Sequence, residues 1–121
     1  MNISASSEDY LEAIFVLQKK KKEVRGKDIA DHLNIKRPSV TDAIKLLKDK
    51  QLVSQEKYGF IELTPKGKGV AEEVLKKHQL IKKFLQTVLG LDEKTADQDA
   101  CKMEHGLSKK TIDLIMQYVT N

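Results

Sequence analysis

Tryptophan is absent from the 121-residue chain, and cysteine occurs once, proline twice and glycine six times. A single thiol, Cys101, cannot close an intramolecular disulfide, so packing must hold the fold and a reducing compartment is expected. With so little Pro and Gly, and with 40% hydrophobic and 33% charged residues, the collagen-like and disordered classes are excluded. No stretch approaches the roughly 18 uninterrupted apolar residues that a membrane span needs. The opening Met-Asn-Ile-Ser-Ala-Ser-Ser-Glu-Asp has neither a basic n-region nor an apolar h-region. The expectation is a folded cytoplasmic protein with no membrane partner. Its length suits one compact domain or two small ones and is too short for a multidomain enzyme.

Acidic residues are also scarce where basic ones gather. Net charge is +4, from 22 Lys and Arg against 18 Asp and Glu. Residues 1–77 carry 16 basic and 12 acidic groups, whereas residues 78–121 carry 6 of each. Between Lys19 and Lys57 the ratio is 12 to 6, the local surplus expected of a surface that meets phosphate. A solvated lysine face has the same composition, so charge alone does not decide.

Tyr10, Leu11, Ile14, Phe15 and Leu17 form one helical stripe after Ser4, Ser6 and Ser7, fading in Lys19–Lys22. Ile29, Ala30 and Leu33 predict a short second helix, followed by Asn34, where a chain can turn through a left-handed conformation. A third helix is predicted after Arg37, with Pro38 at its first position and Val40, Ile44 and Leu47 buried. Leu52–Glu56 and Phe60–Thr64 then read as strands about a Gly-containing turn. Pro65 restarts a long helix carrying Val70, Val74, His78, Ile81, Leu85 and Val88 and closing at Gly90. A fifth helix is expected from Asp92 to about His105, and Gly106 with Ser108 reads as a stop and a new cap. Ile112, Ile115, Met116 and Val119 mark the sixth.

Two short helices about a tight turn, followed by a hairpin, describe a winged helix-turn-helix whose second helix enters the major groove. Ile29, Ala30, Leu33, Ile35, Val40, Ile44 and Leu47 are its expected core. The fold class is therefore mainly α with a small β-hairpin: a winged helix-turn-helix over 1–65 and a helical domain over 66–121. Candidate DNA contacts are Arg25, Lys27, Lys36, Arg37, Pro38, Ser39, Thr41, Asp42 and Lys45, with Lys57 and Tyr58 at the hairpin tip. Lysine and arginine would meet phosphates, while Ser39, Thr41 and Asp42 could touch base edges. A winged helix used for protein contacts remains the alternative at this point.

Asp9 and Glu12 are three apart on the first helix, and Cys101, Glu104 and His105 stand at i, i+3 and i+4 on the fifth, so each set shares a face. With His78 they offer thiolate, imidazole and carboxylate, the donors of a borderline divalent transition ion rather than of calcium or magnesium. Each has a plainer reading: first-turn acids complementing the helix dipole, an interior histidine, a small buried thiol. His32 reads as a surface residue.

Three strings carry a resemblance: Glu8-Asp9-Tyr10-Leu11-Glu12-Ala13-Ile14-Phe15, Lys77-His78-Gln79-Leu80, and Ala100-Cys101-Lys102-Met103-Glu104-His105-Gly106-Leu107-Ser108. With Ser39-Val40-Thr41 and Leu63-Thr64-Pro65-Lys66-Gly67, they resemble, in order and over nearly the whole chain, the diphtheria toxin repressor and manganese transport regulator family. The resemblance implies an N-terminal winged helix joined to a helical metal-binding and dimerisation domain, in the short form without an SH3-like domain. It implies a homodimeric, metal-dependent repressor of metal-uptake genes that binds a palindromic double-stranded operator when loaded with Fe(II) or Mn(II). Asp9, Glu12, His78, Glu104 and His105 match ligand positions of the manganese type. Cys101 departs from that type, which has a carboxylate there, while the iron type has the cysteine but a methionine at the place of Asp9. Lys82 and Asp97 stand where the iron type has ancillary ligands. Softness places Fe(II) ahead of Mn(II) beside a thiolate but Zn(II) and Co(II) further ahead still, so availability in the cell decides; Fe(II) is expected there, with Zn(II) or Co(II) in vitro.

An ion held by both sets of ligands would tie the first helix to the distal domain, and its differential affinity for the DNA-competent state would set the gain in DNA binding. Leu85, Leu89, Met103, Leu107, Ile112 and Ile115 are the expected dimer surface. Two other readings stay open: a metal-independent winged-helix regulator or architectural protein, and a small metallohydrolase with Glu104 as base. So short a chain supports no catalytic set, and neither an enzyme nor a small-molecule substrate is expected.

Overall fold

The structure, a computed structural model, describes residues 3–56 and 59–120. The chain divides into two compact units, residues 1–72 and 73–121, and the division falls within the fourth helix. No helix among the described residues is long and apolar enough to cross a membrane.

The first unit contains α1 (Ala5–Lys20), α2 (Gly26–Leu33), α3 (Arg37–Asp49), β1 (Val53–Gln55), β2 (Ile61–Leu63) and the opening turns of α4 (Pro65–Thr87). Ser4 starts α1 because its hydroxyl accepts from the Ser7 amide at 3.1 Å. The stripe Tyr10, Leu11, Ile14 and Leu17 is buried, as its spacing requires. Asp28 opens α2 by accepting from the Arg25 amide at 2.9 Å and from Lys21 Nζ at 2.8 Å. Asn34 ends it in the left-handed conformation, φ 56°. That turn lets the Ile35 amide reach the Ala30 carbonyl at 3.0 Å and aims α3 away from α2.

β1 and β2 pair antiparallel, with Val53 opposite Leu63 and Gln55 opposite Ile61. Val53 and Ile61 face the core, and the Ile61 amide donates to the Val24 carbonyl at 2.7 Å, which fastens the hairpin ahead of α2. Each strand is only three residues, shorter than expected, and single bonds continue the pairing past both ends, from the Glu56 amide to the Phe60 carbonyl and through Leu52. Its amide closes α3 on the Leu47 carbonyl and its carbonyl accepts from the Thr64 amide. Leu11, Ile14, Val24, Ile29, Val40, Leu47, Leu52 and Ile61 form the centre of this unit's core.

Thr64 and Gly67 seat the start of α4. The Thr64 hydroxyl donates to the Gln51 carbonyl at 2.7 Å and accepts from the Gly67 amide at 3.1 Å. A Cβ on Gly67 would stand 1.9 Å from the Leu52 carbonyl oxygen, so no other residue fits.

The second unit holds the rest of α4, α5 (Glu93–Met103) and α6 (Lys109–Thr120). Asp92 caps α5 by accepting from the Thr95 amide at 3.1 Å, and Ser108 accepts from the Thr111 amide at 3.2 Å at the start of α6. Ile81, Leu85, Ala96 and Ala100 are the core, with Leu91, Met103, Leu107 and Ile112 packed against them. Alanines on α5 let it approach α4 closely.

Several boundaries and core assignments differ from expectation. α3 begins at Arg37, so Pro38 sits one residue inside the helix, still within the turn whose amides lack helical partners. α4 ends at Thr87, and Val88, outside the helix, is exposed. α5 ends at Met103, although Glu104 keeps right-handed helical angles. Ile35 lies in the turn rather than the core and is 37% exposed.

Gly67→Ala is expected to destabilise the first unit by at least about 1–3 kcal/mol, the usual cost of overpacking. Gly69→Ala, whose Cβ meets nothing within 4 Å, should leave stability unchanged or raise it. Equal denaturant midpoints for the two variants would contradict the Leu52 contact. At the α2 start, the hydrogen bond from Lys21, then that from the Arg25 amide, holds the Asp28 carboxyl below its ordinary 3.8. Its contribution is present above that ordinary value and is lost as pH falls through the lowered one. Asp28→Ala should therefore cost on the order of 1 kcal/mol at pH 7, with the gap from wild type closing in acid; a gap unchanged at pH 3 would argue against it.

Candidate metal centre and nucleic-acid face

The second unit brings four of the expected ligands together around one buried carboxylate. His78 projects from the middle of α4, Cys101 from the last turn of α5, and Glu104 and His105 from the residues just beyond it. Glu104 is placed there because its amide still donates to the Ala100 carbonyl at 2.9 Å, so the helical path carries its side chain inward. The side chain is 1% exposed. Its two oxygens meet different imidazoles: Oε2 lies 2.9 Å from His78 Nδ1, and Oε1 lies 3.4 Å from His105 Nε2. Cys101 Sγ stands 3.7 Å from the same His78 Nδ1.

Burying a carboxylate costs several kcal/mol unless partners compensate it. Here two imidazoles do so. The Cys101 residue itself is exposed, so its sulfur reaches the His78 ring from the solvent side. Thiol, imidazole and carboxylate converging on one nitrogen are the donor set of a borderline divalent transition ion, and an all-oxygen cage for calcium or magnesium is not present among these four. The residues therefore fit such an ion. Asp9 and Glu12, the other two expected ligands, lie three apart on α1 of the first unit, Asp9 exposed and Glu12 half-buried.

The other nitrogen of the His78 ring has its own partner. Nε2 lies 2.8 Å from Asp97 Oδ1, and Lys82 Nζ lies 3.6 Å from that same oxygen. The His78 hydrogen bond chiefly holds the Asp97 carboxyl below its ordinary range; partial desolvation opposes it, and the charges of His78 and Lys82 add to it. This partnership was not read from the sequence. Asp97 stands four residues before Cys101 on α5, and that i, i+4 spacing was the available signal.

On the first unit, Lys36, Arg37, Pro38, Ser39, Thr41, Asp42 and Lys45 are all exposed on and before α3, while Val40, Ile44 and Leu47 are buried beneath them. The Thr41 hydroxyl donates to the Arg37 carbonyl at 3.2 Å. Arg25 and Lys27 are exposed at the start of α2, and the Arg25 guanidinium lies 4.7 Å over the Phe60 ring. Arg25 and Arg37 line one cleft of about 230 Å³ with Thr41, Gln55 and Gly59, bringing α2, α3 and the hairpin to a common edge. Phe60, which positions Arg25 there, was not anticipated. Lys57 and Tyr58 lie outside the described residues.

Of the expected dimer residues, Leu89 is 61% exposed, Met103, Leu107 and Ile112 are half-buried, and Leu85 and Ile115 are buried within the chain's own second unit. Leu85 packs with Ile81, Ala96 and Ala100. Leu114 and Tyr118 on α6, not anticipated, are exposed instead.

Two family models match the chain. The N-terminal DNA binding domain of the iron dependent repressor covers residues 2–61, and the metal binding and dimerisation domain of the iron dependent repressor covers residues 64–121. An uncharacterised HTH-type transcriptional regulator of Methanocaldococcus jannaschii is 43% identical over 112 residues, 92% of this chain and 90% of that protein. The HTH-type transcriptional regulator MntR of Geobacillus thermodenitrificans is 40% identical over 111 residues, 91% of this chain and 77% of that one. Among solved structures, T. acidophilum IdeR superposes with a TM-score of 0.85 at 29% identity, over 100% of this chain and 56% of that one. The chain spans about half the length of that solved structure.

Proposed function

Because the chain belongs to the iron-dependent repressor family, and so is a metal-dependent transcriptional repressor that binds DNA and dimerises through its C-terminal domain, we propose which residues perform each part. His78, Cys101, Glu104 and His105 hold a divalent transition ion, with Asp9 and Glu12 as further ligands suggested by the sequence resemblance. The observation that carries this reading is the buried Glu104 carboxylate, shared between His78 and His105 with the Cys101 sulfur beside it. A bound ion supplies concentrated positive charge that offsets the buried carboxylate and a thiolate. The thiolate places Fe(II) ahead of Mn(II) as the physiological ion, with Zn(II) and Co(II) accepted in vitro.

Lys36, Arg37 and Lys45, with Arg25 and Lys27, neutralise DNA phosphates, and the α3 N-terminus adds its partial positive charge. Ser39, Thr41 and Asp42 offer short hydrogen-bonding groups to base edges, Pro38 fixes the helix start, and Lys57 and Tyr58 extend the surface along the hairpin. A homodimer built on Leu89, Met103, Leu107 and Ile112, backed by Leu85 and Ile115, presents two such heads and calls for a palindromic operator. The reading and metal-binding functions divide near residues 65 and 66. The protein acts in the cytoplasm on genes of metal uptake. Ligands that bind the ion more tightly in the DNA-competent state raise DNA affinity by that same differential factor.

Anaerobic Fe(II), or Mn(II), is expected to tighten binding of a palindromic operator in a fluorescence-anisotropy titration, and Glu104→Ala should abolish the response. Metal-independent binding by both proteins would support the alternative, a metal-independent winged-helix regulator. Because Cys101 and the two histidines must shed protons to ligate, Co(II) affinity should weaken as pH falls from 8 to 6. Affinity flat over that range would rule out these donors.

A further inference from the structure

The His78 ring has two nitrogens and two carboxylate neighbours, Glu104 on the Nδ1 side at 2.9 Å and Asp97 on the Nε2 side at 2.8 Å. A histidine that ligates an ion is a neutral imidazole with one N–H, so in that state it donates to only one of them and offers its lone pair on the other side. Cys101 Sγ and Glu104 Oε2 both lie at Nδ1. An ion taken by these donors therefore needs the Nδ1 lone pair, which requires the proton to stay on Nε2.

We propose that Asp97 is a positioning residue that holds the His78 proton on Nε2, and that Lys82 keeps the Asp97 carboxylate in that role. The inference rests on the reading of His78 as a metal ligand. Its geometry comes from two helices of one unit. His78 and Lys82 are four residues apart on α4, so both overhang Asp97 on α5. Lys82 Nζ lies 3.6 Å from Asp97 Oδ1 and 3.4 Å from Glu93 Oε1, anchored between two acids of α5.

The same carboxylate could be thought a ligand itself, since donor atoms of His78, Asp97 and Cys101 all lie within 4.8 Å of one another. Lys82 argues against that. Its ammonium, 19% exposed, is already the cation on this side, and a divalent ion at Asp97 would meet its repulsion at short range. A histidine ligand whose remote N–H is held by a carboxylate is oriented and made more basic, and loss of such a partner typically weakens metal affinity about 10–100-fold.

The test uses the full chain carrying ¹⁵N-labelled histidine, with His78→Gln identifying the His78 signals. In the Zn(II)-loaded wild type, Nδ1 should be the metal-bound nitrogen and Nε2 should carry a hydrogen-bonded proton. Asp97→Ala should lose the signature of that hydrogen-bonded Nε2 proton and weaken Zn(II) binding about 10–100-fold at unchanged stoichiometry. Asp97→Asn, whose amide oxygen still accepts, should restore the wild-type nitrogen pattern and most of the affinity. Two results would overturn the proposal: Zn(II) affinity unchanged in Asp97→Ala, or loss of one Zn(II) equivalent in Asp97→Asn, which would make the residue a ligand. Failure of the metal-sensing reading looks different, because the wild-type chain itself would then bind no Zn(II).

Discussion

One carboxylate, that of Glu104, sets the terms for the second unit. Removed from water and flanked by His78 and His105, it is stable only while positive or proton-donating groups stay close to both oxygens. That requirement fixes the depth of His78 on α4, the helical continuation past Met103, and the reach of Cys101 into the same corner. Small Ala96 and Ala100 satisfy it from below, since bulkier side chains there would push α5 off α4 and open the cluster to solvent. Packing and site chemistry are thus one arrangement.

The reading head follows a different logic. Its apolar side is rigidly specified, with Leu11, Ile29, Leu47 and Ile61 inaccessible or nearly so, whereas its outer side is a loose field of cations and short polar groups. Rigidity beneath and solvation above suit a surface whose affinity comes from many salt-dependent phosphate contacts and whose selectivity comes from a few side chains held at fixed positions. The Arg25 guanidinium over Phe60 belongs to the fixed class: a ring from the hairpin confines a charge that the α2 start alone would leave mobile.

Features governed by local rules were legible in the sequence. Ser4, Asn34, Pro65, Asp92 and Ser108 mark helix ends through hydrogen bonds or dihedral preferences confined to a few neighbouring residues, and the stripes on α1 and α3 follow from period alone. Ile35 was misassigned because pattern reading cannot tell a turn's apolar residue from a core one. The strand lengths were overestimated because the pairing thins to single bonds past Val53–Gln55 and Ile61–Leu63, with the Leu52 amide already committed to α3, a partner invisible to a period-two count. At the site, the i, i+3, i+4 spacing of Cys101, Glu104 and His105 foretold a shared face, and resemblance supplied His78. The meeting of Cys101 and Glu104 at one nitrogen of the His78 ring, and the grip of Asp97 on the other, depend on how α4 meets α5 and had no one-dimensional signature beyond spacing.

Gly67 constrains inheritance. Every possible replacement adds a Cβ, and every Cβ collides with the Leu52 carbonyl unless the junction between hairpin and α4 shifts. Drift at this codon is therefore blocked in all directions by a backbone atom rather than by any side chain that could co-vary. Lineages descending from this chain must carry this glycine forward or rebuild the joint as a whole.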